Sequence, residues 1–357
     1  MAKSSKKGFR ESVADYAALS AQIQKRNFAP IYLLMGEESY FIDRLTDLLA
    51  ATILTPEEQA FNQTVVYGKE YEAGQIINLC RQMPMMGNRQ VVIVREAQNL
   101  KKWDQLSLYT SAPSPTTVLV LCYKEKSVDK RSAVYKQAEA NGTVFESVAP
   151  REYEIAGWLT ELVRSKGCTI DAKATAMLTE HLGTDLSKID NELDKLLTYL
   201  PEGTHKITAE QIETNIGISK DFNNFELTKA ISEKNMEKVM LIADHFARNP
   251  KDNPLLVTIS TLFTHFQRIF ILNYQKWLCR RKGAAMPSEM ELARMLKLPA
   301  AYFLKEYQQA ATLYPNQKVF AIMGLLREYD LKSKGINAGQ TDNGELLKEL
   351  LLKIFLL

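Results

Sequence analysis

Five short apolar runs near the start of this chain, each followed by a helix-like segment, constrain its fold more than any other feature. The first is Ile31-Tyr32-Leu33-Leu34-Met35, closed by Gly36. It has no polar position to offer water, so it reads as a central strand covered by helices on both faces. Thr64–Tyr67, Val91–Val94, Val118–Cys122 and Thr143–Phe145 read as further buried strands. Between them, Phe41, Ile42, Leu45, Leu48 and Leu49 recur at helical spacing, and helices are expected around 73–82, 100–110 and 129–140. Strands alternating with helices predict a mostly parallel, doubly wound sheet. Residues 1 to about 28 read as a polar tail and a short helix.

After Pro150 the strand pattern stops. Residues 151–217 read as several helices, the clearest being Asp185–Leu200. Leu186, Ile189, Leu193, Leu196, Leu197 and Leu200 share one face there, and Asp190, Glu192 and Asp194 read as a solvated face. Pro201-Glu202-Gly203 ends that helix. From about 218 the chain is helical again, broken at Pro250, Pro254, Pro287, Pro299 and Pro315, with a looser stretch Gly335–Gly344. Leu346–Leu357 reads as a buried terminal helix, too short and too charged (Lys348, Glu349, Lys353) to span a bilayer. A length of 357 residues suits two or three domains.

Charge and cysteine content exclude several function classes. The net charge of +3 is too small for a polybasic wrapper of nucleic acid. The last 140 residues nevertheless carry 20 Lys and Arg against 14 Asp and Glu, so a mild basic bias lies there. Cys80, Cys122, Cys168 and Cys279 are far apart and form no CxxC pair, which opposes a disulfide framework or a structural zinc site. Free cysteines and a polar, basic start without an apolar core lead us to expect a cytoplasmic protein with no secretory signal and no membrane partner.

The junction after the first strand is where an α/β nucleotide-binding domain places its phosphate loop. Counting GxxxxGK[ST] from Gly36, the second Gly, the Lys and the Ser/Thr fall on Phe41, Ile42 and Asp43. None of the required side chains is present, and Glu37 and Glu38 would repel a phosphate. The strand 91–94 occupies the place of a magnesium-binding segment, yet Arg95 stands where that acid belongs. His181, His205, His245 and His265 show no HExxH spacing, and GxSxG and GxGxxG are absent. No catalytic, nucleotide-binding or metal-ligating residue and no cofactor is therefore expected.

One segment is unusual in a different way. Met83-Pro84-Met85-Met86-Gly87-Asn88-Arg89-Gln90 follows a helix and precedes the strand at 91. Pro, Gly, Asn and Arg predict a surface loop. Its three methionines either fold back onto the sheet edge or face a partner, since methionine suits adaptable binding surfaces.

Several stretches, taken in order, carry a resemblance. They are Pro30-Ile31-Tyr32-Leu33-Leu34-Met35-Gly36-Glu37-Glu38, Gly87-Asn88-Arg89-Gln90 with its strand, and Asp129-Lys130-Arg131. Gly183-Thr184-Asp185-Leu186-Ser187, Asn191-Glu192-Leu193-Asp194-Lys195-Leu196, Phe225-Glu226-Leu227 with Ala230-Ile231, and Asp330-Leu331-Lys332-Ser333-Lys334 complete the set. From about residue 28 onward the chain resembles the delta subunits of bacterial DNA polymerase III, the clamp-loader subunits that open the sliding clamp. The resemblance implies an AAA+-like α/β domain without functional Walker motifs (1–148), a small all-α lid (149–217) and an all-α collar that joins subunits (218–357). It implies a non-catalytic role within the DNA polymerase III holoenzyme. The partners it implies are the sliding clamp, ATPase subunits, delta-prime and, through the complex, primed DNA. Lacking a four-Cys cluster and a Ser-Arg-Cys motif, the chain does not match delta-prime or the ATPase subunit. In the family an adjacent hydrophobic pair before the Arg-containing strand enters a pocket on the clamp. Matched on Arg89-Gln90, that pair falls on Met85 and Met86, where the family often has Leu and Phe. A divergent AAA+ ATPase and a helical DNA-binding module are the alternatives; residues that would contact DNA are not identified.

Overall fold

The computed structural model describes residues 7–85, 87–201, 205–216, 222–298, 303–336 and 341–357. The chain divides into two compact units, Met1–Arg151 and Glu152–Leu357.

In chain order the first unit holds α1 (Phe9–Gln24), β1 (Ile31–Gly36), α2 (Ser39–Thr52), α3 (Pro56–Asn62), β2 (Gln63–Tyr67) and α4 (Ala73–Cys80). It continues with β3 (Gln90–Arg95), α5 (Ser107–Thr110), β4 (Thr117–Lys124), α6 (Ala133–Asn141) and β5 (Thr143–Ser147). The sheet order is β2-β3-β4-β1-β5 and every pairing is parallel, as the alternation of strands and helices predicts. All six residues of β1 are buried. Ile31, Leu33 and Met35 pack with Val92, Val94, Leu119 and Leu121 and with α4 and α6 residues such as Ile76 and Ala138. The opposite face of the sheet meets α2: Cys122 Sγ lies 3.0 Å from Thr46 Oγ1, and Leu34 is its neighbour in register. A strand with two buried faces has to be apolar throughout.

Two helical expectations change in detail. Over 100–110 the chain forms a 3₁₀ turn (Trp103–Leu106) and the four-residue α5, because Lys102 takes a left-handed φ of +57° just before it. The helix expected from 129 starts at Ala133. Before it, Arg131 N donates to Asp129 Oδ1 at 2.9 Å and the two side chains pair, so Asp129 closes a turn; Ser132 Oγ then caps the helix. The Arg131 hydrogen bonds pull Asp129 down to about 2.

The second unit holds α7 (Glu152–Ser165), β6 (Thr169–Ile170), α8 (Ala172–Leu182), α9 (Leu186–Tyr199), β7 (Lys206–Ile207) and α10 (Ala209–Ile216). It goes on with α11 (Asn224–Ser232), α12 (Met236–Arg248), α13 (Leu255–Lys282), α14 (Glu289–Met295), α15 (Leu304–Leu313), α16 (Asn316–Ser333) and α17 (Asn343–Leu356). The unit is helical apart from β6 and β7, a two-residue parallel ladder that the strand-free reading of this stretch missed. Asp190 corrects another expectation: it is buried, and Lys166 Nζ meets its Oδ1 at 2.8 Å. The position adjoins the Ile189–Leu193 stripe, so α9 carries it under the end of α7 rather than toward water.

Two links join α8 to the helices after it. Phe225 N, in the first turn of α11, donates to Glu180 Oε2 at 3.0 Å. Glu226, almost wholly buried, accepts Lys173 of α8 at 2.9 Å and Lys238 of α12. Their ammonium groups hold its carboxyl below the usual range against the opposing effect of burial. Among the described residues α13 is the one helix long and apolar enough to cross a membrane. Here Ile259, Leu262, Phe266, Ile269 and Leu272 are buried in the core of the helical unit, together with Leu346, Leu347, Leu350, Leu351 and Ile354 of α17. The terminal helix is thus buried on one side, while Leu352 and Leu356 remain exposed.

Candidate functional site

At the end of β1 the backbone is already engaged. Gly36 N donates to Lys126 O at 3.0 Å and Glu37 N to Ser147 O at 3.2 Å. Gly36 has a φ of +132°, and a Cβ there would lie 2.1 Å from Ser147 O. Only glycine fits such a turn. The Glu38 carboxylate accepts Tyr40 N at 2.9 Å and caps α2. A phosphate loop needs free amides at this point; here carbonyls and a carboxylate take them. Phe41 and Ile42 are buried, so neither position has room for a phosphate-binding lysine.

The residues in the place of the magnesium site neutralise one another. Lys124 Nζ meets Asp43 at 2.6 Å, and Arg95 meets Asp47 at 2.7 Å and Asp43 at 3.7 Å. Beneath them burial raises the Cys122 thiol to about 11, which keeps it protonated. Among the described residues no group of His, Cys, Asp or Glu is arranged to hold a metal ion. His265, in the helical unit, is buried, and burial pushes it down to about 3, so it is neutral.

The methionine loop is built differently. Met83 and Met85 are each 78% exposed, so neither folds back onto the sheet edge. Met86 lies outside the described residues. The backbone at Met85 is held although its side chain and that of Met83 are exposed. Met85 N donates to Asn62 Oδ1 at 2.8 Å, and Asn62 is buried at the end of α3. Gly87, at φ +88°, lets the loop run against α3, where a Cβ would lie 2.1 Å from Glu58 Oε1. Arg89 closes the loop with its guanidinium 5.2 Å from the centre of the Phe28 ring. The platform α3 starts at a capping box, Thr55 with Glu58, and Pro56 at its first position.

Sequence reasoning missed α3 and with it Asn62 and the exposed Phe61. Thr55-Pro56-Glu57-Glu58 carried the signal, since a threonine followed three residues later by glutamate marks a helix start. On the other side of the loop, Arg81 lies two residues before Met83. It borders a shallow groove of about 380 Å³ between α4 and the exposed Leu108. The arrangement can present flexible apolar side chains on a fixed backbone.

Comparison with known proteins gives a consistent result. A family model described as DNA polymerase III, delta subunit matches residues 32–148. The DNA polymerase III subunit delta of Bacillus subtilis is 25% identical over 346 residues, covering 94% of this chain and 94% of that protein. The structure of the Bacillus subtilis DNA clamp loader delta protein matches in fold, with a TM-score of 0.54 and 22% identity over 96% of this chain and 100% of that one. The parallel sheet, the helical second unit and a sequence match along nearly the whole chain agree, and the chain is similar to DNA polymerase III delta subunits over nearly its full length.

Proposed function

We propose that this chain binds and opens the DNA sliding clamp as a non-catalytic subunit of the DNA polymerase III clamp loader, alongside ATPase subunits and delta-prime. The observation that carries the reading is the pair of fully presented methionines, Met83 and Met85, on a loop whose backbone is pinned at Asn62. Two exposed methionines side by side on one pinned loop form an apolar patch of the kind that marks an interaction site. Met85 and Met86 are the anchor that enters an apolar pocket on the clamp. Methionine adapts its shape to such a pocket, and the pinned backbone lowers the ordering cost of binding. Opening follows if the loop binds the opened clamp more tightly than the closed one, since a ligand shifts an equilibrium only by its differential affinity.

In this reading residues 1–148 carry the clamp contact, 149–217 form the lid and 218–357 the collar. The filled turn at Gly36 and the Arg95–Asp43–Lys124 cluster support a subunit that leaves ATP chemistry to its partners. Primed DNA is met through the complex, in the cytoplasm.

Clamp affinity measured by calorimetry on a Met85→Ala, Met86→Ala variant tests this. Burying one methionine is worth roughly 1.5–3 kcal/mol, and interface energy concentrates in a few anchors. The double change is expected to cost about 2–4 kcal/mol, a 30- to 1,000-fold loss, with the melting temperature of the free protein unchanged. Unchanged clamp affinity would reject the reading.

A further inference from the structure

The second unit holds a cleft of about 570 Å³ whose lining comes mainly from α8, α11, α13 and α15. That is the size of a small-molecule site. Part of the lining is aromatic: the Phe225 ring stands edge-on to Phe303 at 5.6 Å, and Tyr307 lies beside them in the cleft. Leu256 and Val257 of α13 add apolar surface and are 45% and 46% exposed. Ser260 and Thr264, further along α13, add hydroxyls. An apolar cleft with a few converging polar groups is the usual make-up of a ligand site.

Two carboxyls line this cleft without a cation beside them. Glu180 Oε2 of α8 accepts Phe225 N at 3.0 Å, and Glu306 Oε1 of α15 lies 3.3 Å from Ser232 Oγ. Among the described residues neither forms an ion pair, and Lys229 acts on Glu306 only from a distance. Glu226, on α11, shows the contrast, since it takes both Lys173 and Lys238. Burial lifts Glu180 to about 7 and raises Glu306 as well. The basic groups of the cleft are already engaged. Arg268 donates to Leu296 O, Lys297 O and the Tyr307 hydroxyl. Lys297 Nζ stands 5.5 Å from the centre of the Tyr153 ring. His265, neutral, lies 3.4 Å from the Tyr307 hydroxyl and 3.1 Å from Ser232 Oγ. Carboxyls held out of water without a counter-charge are costly, and in a cleft they mark functional sites.

We propose that this cleft binds a small organic cation, an ammonium or amidinium group carried on an apolar body, with Glu180 and Glu306 as its counter-charges. Charge selects the ligand class. An anion would meet two carboxylates, and a neutral molecule would leave both without a counter-charge. A cation turns them into acceptors of charge-assisted hydrogen bonds. Aromatic rings favour a cation as well, and Phe225, Phe303, Leu256 and Val257 offer cover for an apolar body. Because the lining comes from four helices, the bound cation holds α8, α11, α13 and α15 together. The site is separate from the methionine loop and does not depend on clamp binding.

The test titrates three probes of one shape and different charge into the full chain at about pH 8, where free carboxylates are ionised: benzamidine, a cation; benzamide, neutral; and benzoate, an anion. Calorimetry is run on wild type, Glu306→Gln and Ser260→Trp. Wild type is expected to bind benzamidine with a Kd below about 1 mM, and benzamide and benzoate at least tenfold more weakly. Both variants should bind benzamidine at least tenfold more weakly than wild type. Ser260 is an exposed position on the cleft, so the tryptophan fills the space without touching a carboxyl and keeps the test valid if Glu306→Gln folds poorly. Hydrogen exchange of wild type should show benzamidine slowing the amides of α8, α11 and α15. No benzamidine binding by wild type would overturn the proposal. So would equal binding of benzamidine and benzamide, which would remove the role of charge. Benzamidine binding that both folded variants retain in full, or that leaves exchange in these helices unchanged, would place the cation elsewhere and overturn it too.

Discussion

Asn62→Ala should weaken clamp binding although Asn62 is buried and cannot touch the clamp. Its Oδ1 accepts Met85 N at 2.8 Å, the bond that fixes the loop between its two exposed methionines and Gly87. Without it the Met85 amide turns to water, and the loss of that one bond costs about 1 kcal/mol of stability. The loop loses more. Releasing one residue's backbone returns roughly 1–2 kcal/mol of conformational freedom that binding must then remove. Apparent affinity falls with the fraction of loops in the competent conformation, so a drop of about 5- to 30-fold is expected. Calorimetry on four proteins gives the answer: wild type, Asn62→Ala, the Met85→Ala/Met86→Ala double variant, and all three changes together. Because Asn62 acts only through the methionines, its effect should vanish in the double-variant background. An undiminished effect there, or no effect in the wild-type background, would refute the claim that the amide positions the anchor.

Three further outcomes are expected. Gly36→Ala should destabilise the first unit by several kcal/mol in urea unfolding, because φ +132° and a Cβ 2.1 Å from a backbone oxygen leave no cheap escape; a loss under 1 kcal/mol would show that the turn is not rigid. The purified chain should give no magnesium-dependent ATP heat in calorimetry at micromolar to millimolar nucleotide, given Gly36 N and Glu37 N bonded to Lys126 O and Ser147 O. Glu180 predicts a pH effect: burial lifts its carboxyl to about 7, against the lowering effect of its hydrogen bonds to Phe225 N and Asn224. Its folded pKa lies above the ordinary glutamate value of 4.5, so its contribution is fully present below pH 4.5 and is lost as pH rises toward and through 7. Glu180→Gln should therefore gain roughly 2–4 kcal/mol on wild type between pH 5 and 8, and parallel stability curves over that range would contradict the burial argument.

The sheet was legible because each of its strands is written in one place. A run such as Ile31–Met35 has a single solution, and Gly36 marks where it must end. The surface of the methionine loop was half legible: Pro84 and Gly87 announce a turn, but whether Met85 points in or out depends on α3, which packs from a distant stretch of chain. Asp190 shows the same limit. Helical periodicity places it at the margin of the apolar stripe, and only the position of Lys166 at the end of another helix decides that it is buried. The short β6–β7 ladder pairs residues 169–170 with 206–207; two-residue strands leave no alternation to read.

The closed turn after β1 bears on what this scaffold can become. A working phosphate loop here would need glycine, lysine and a hydroxyl at 41, 42 and 43. Two of those positions are core: removing the Phe41 ring would cost about 3–5 kcal/mol, and a lysine at 42 would bury an unpaired charge. Changing Asp43 would strand Lys124 and loosen Arg95. Each of the three substitutions would therefore cost stability by itself. The packing around this turn thus resists the acquisition of a phosphate loop.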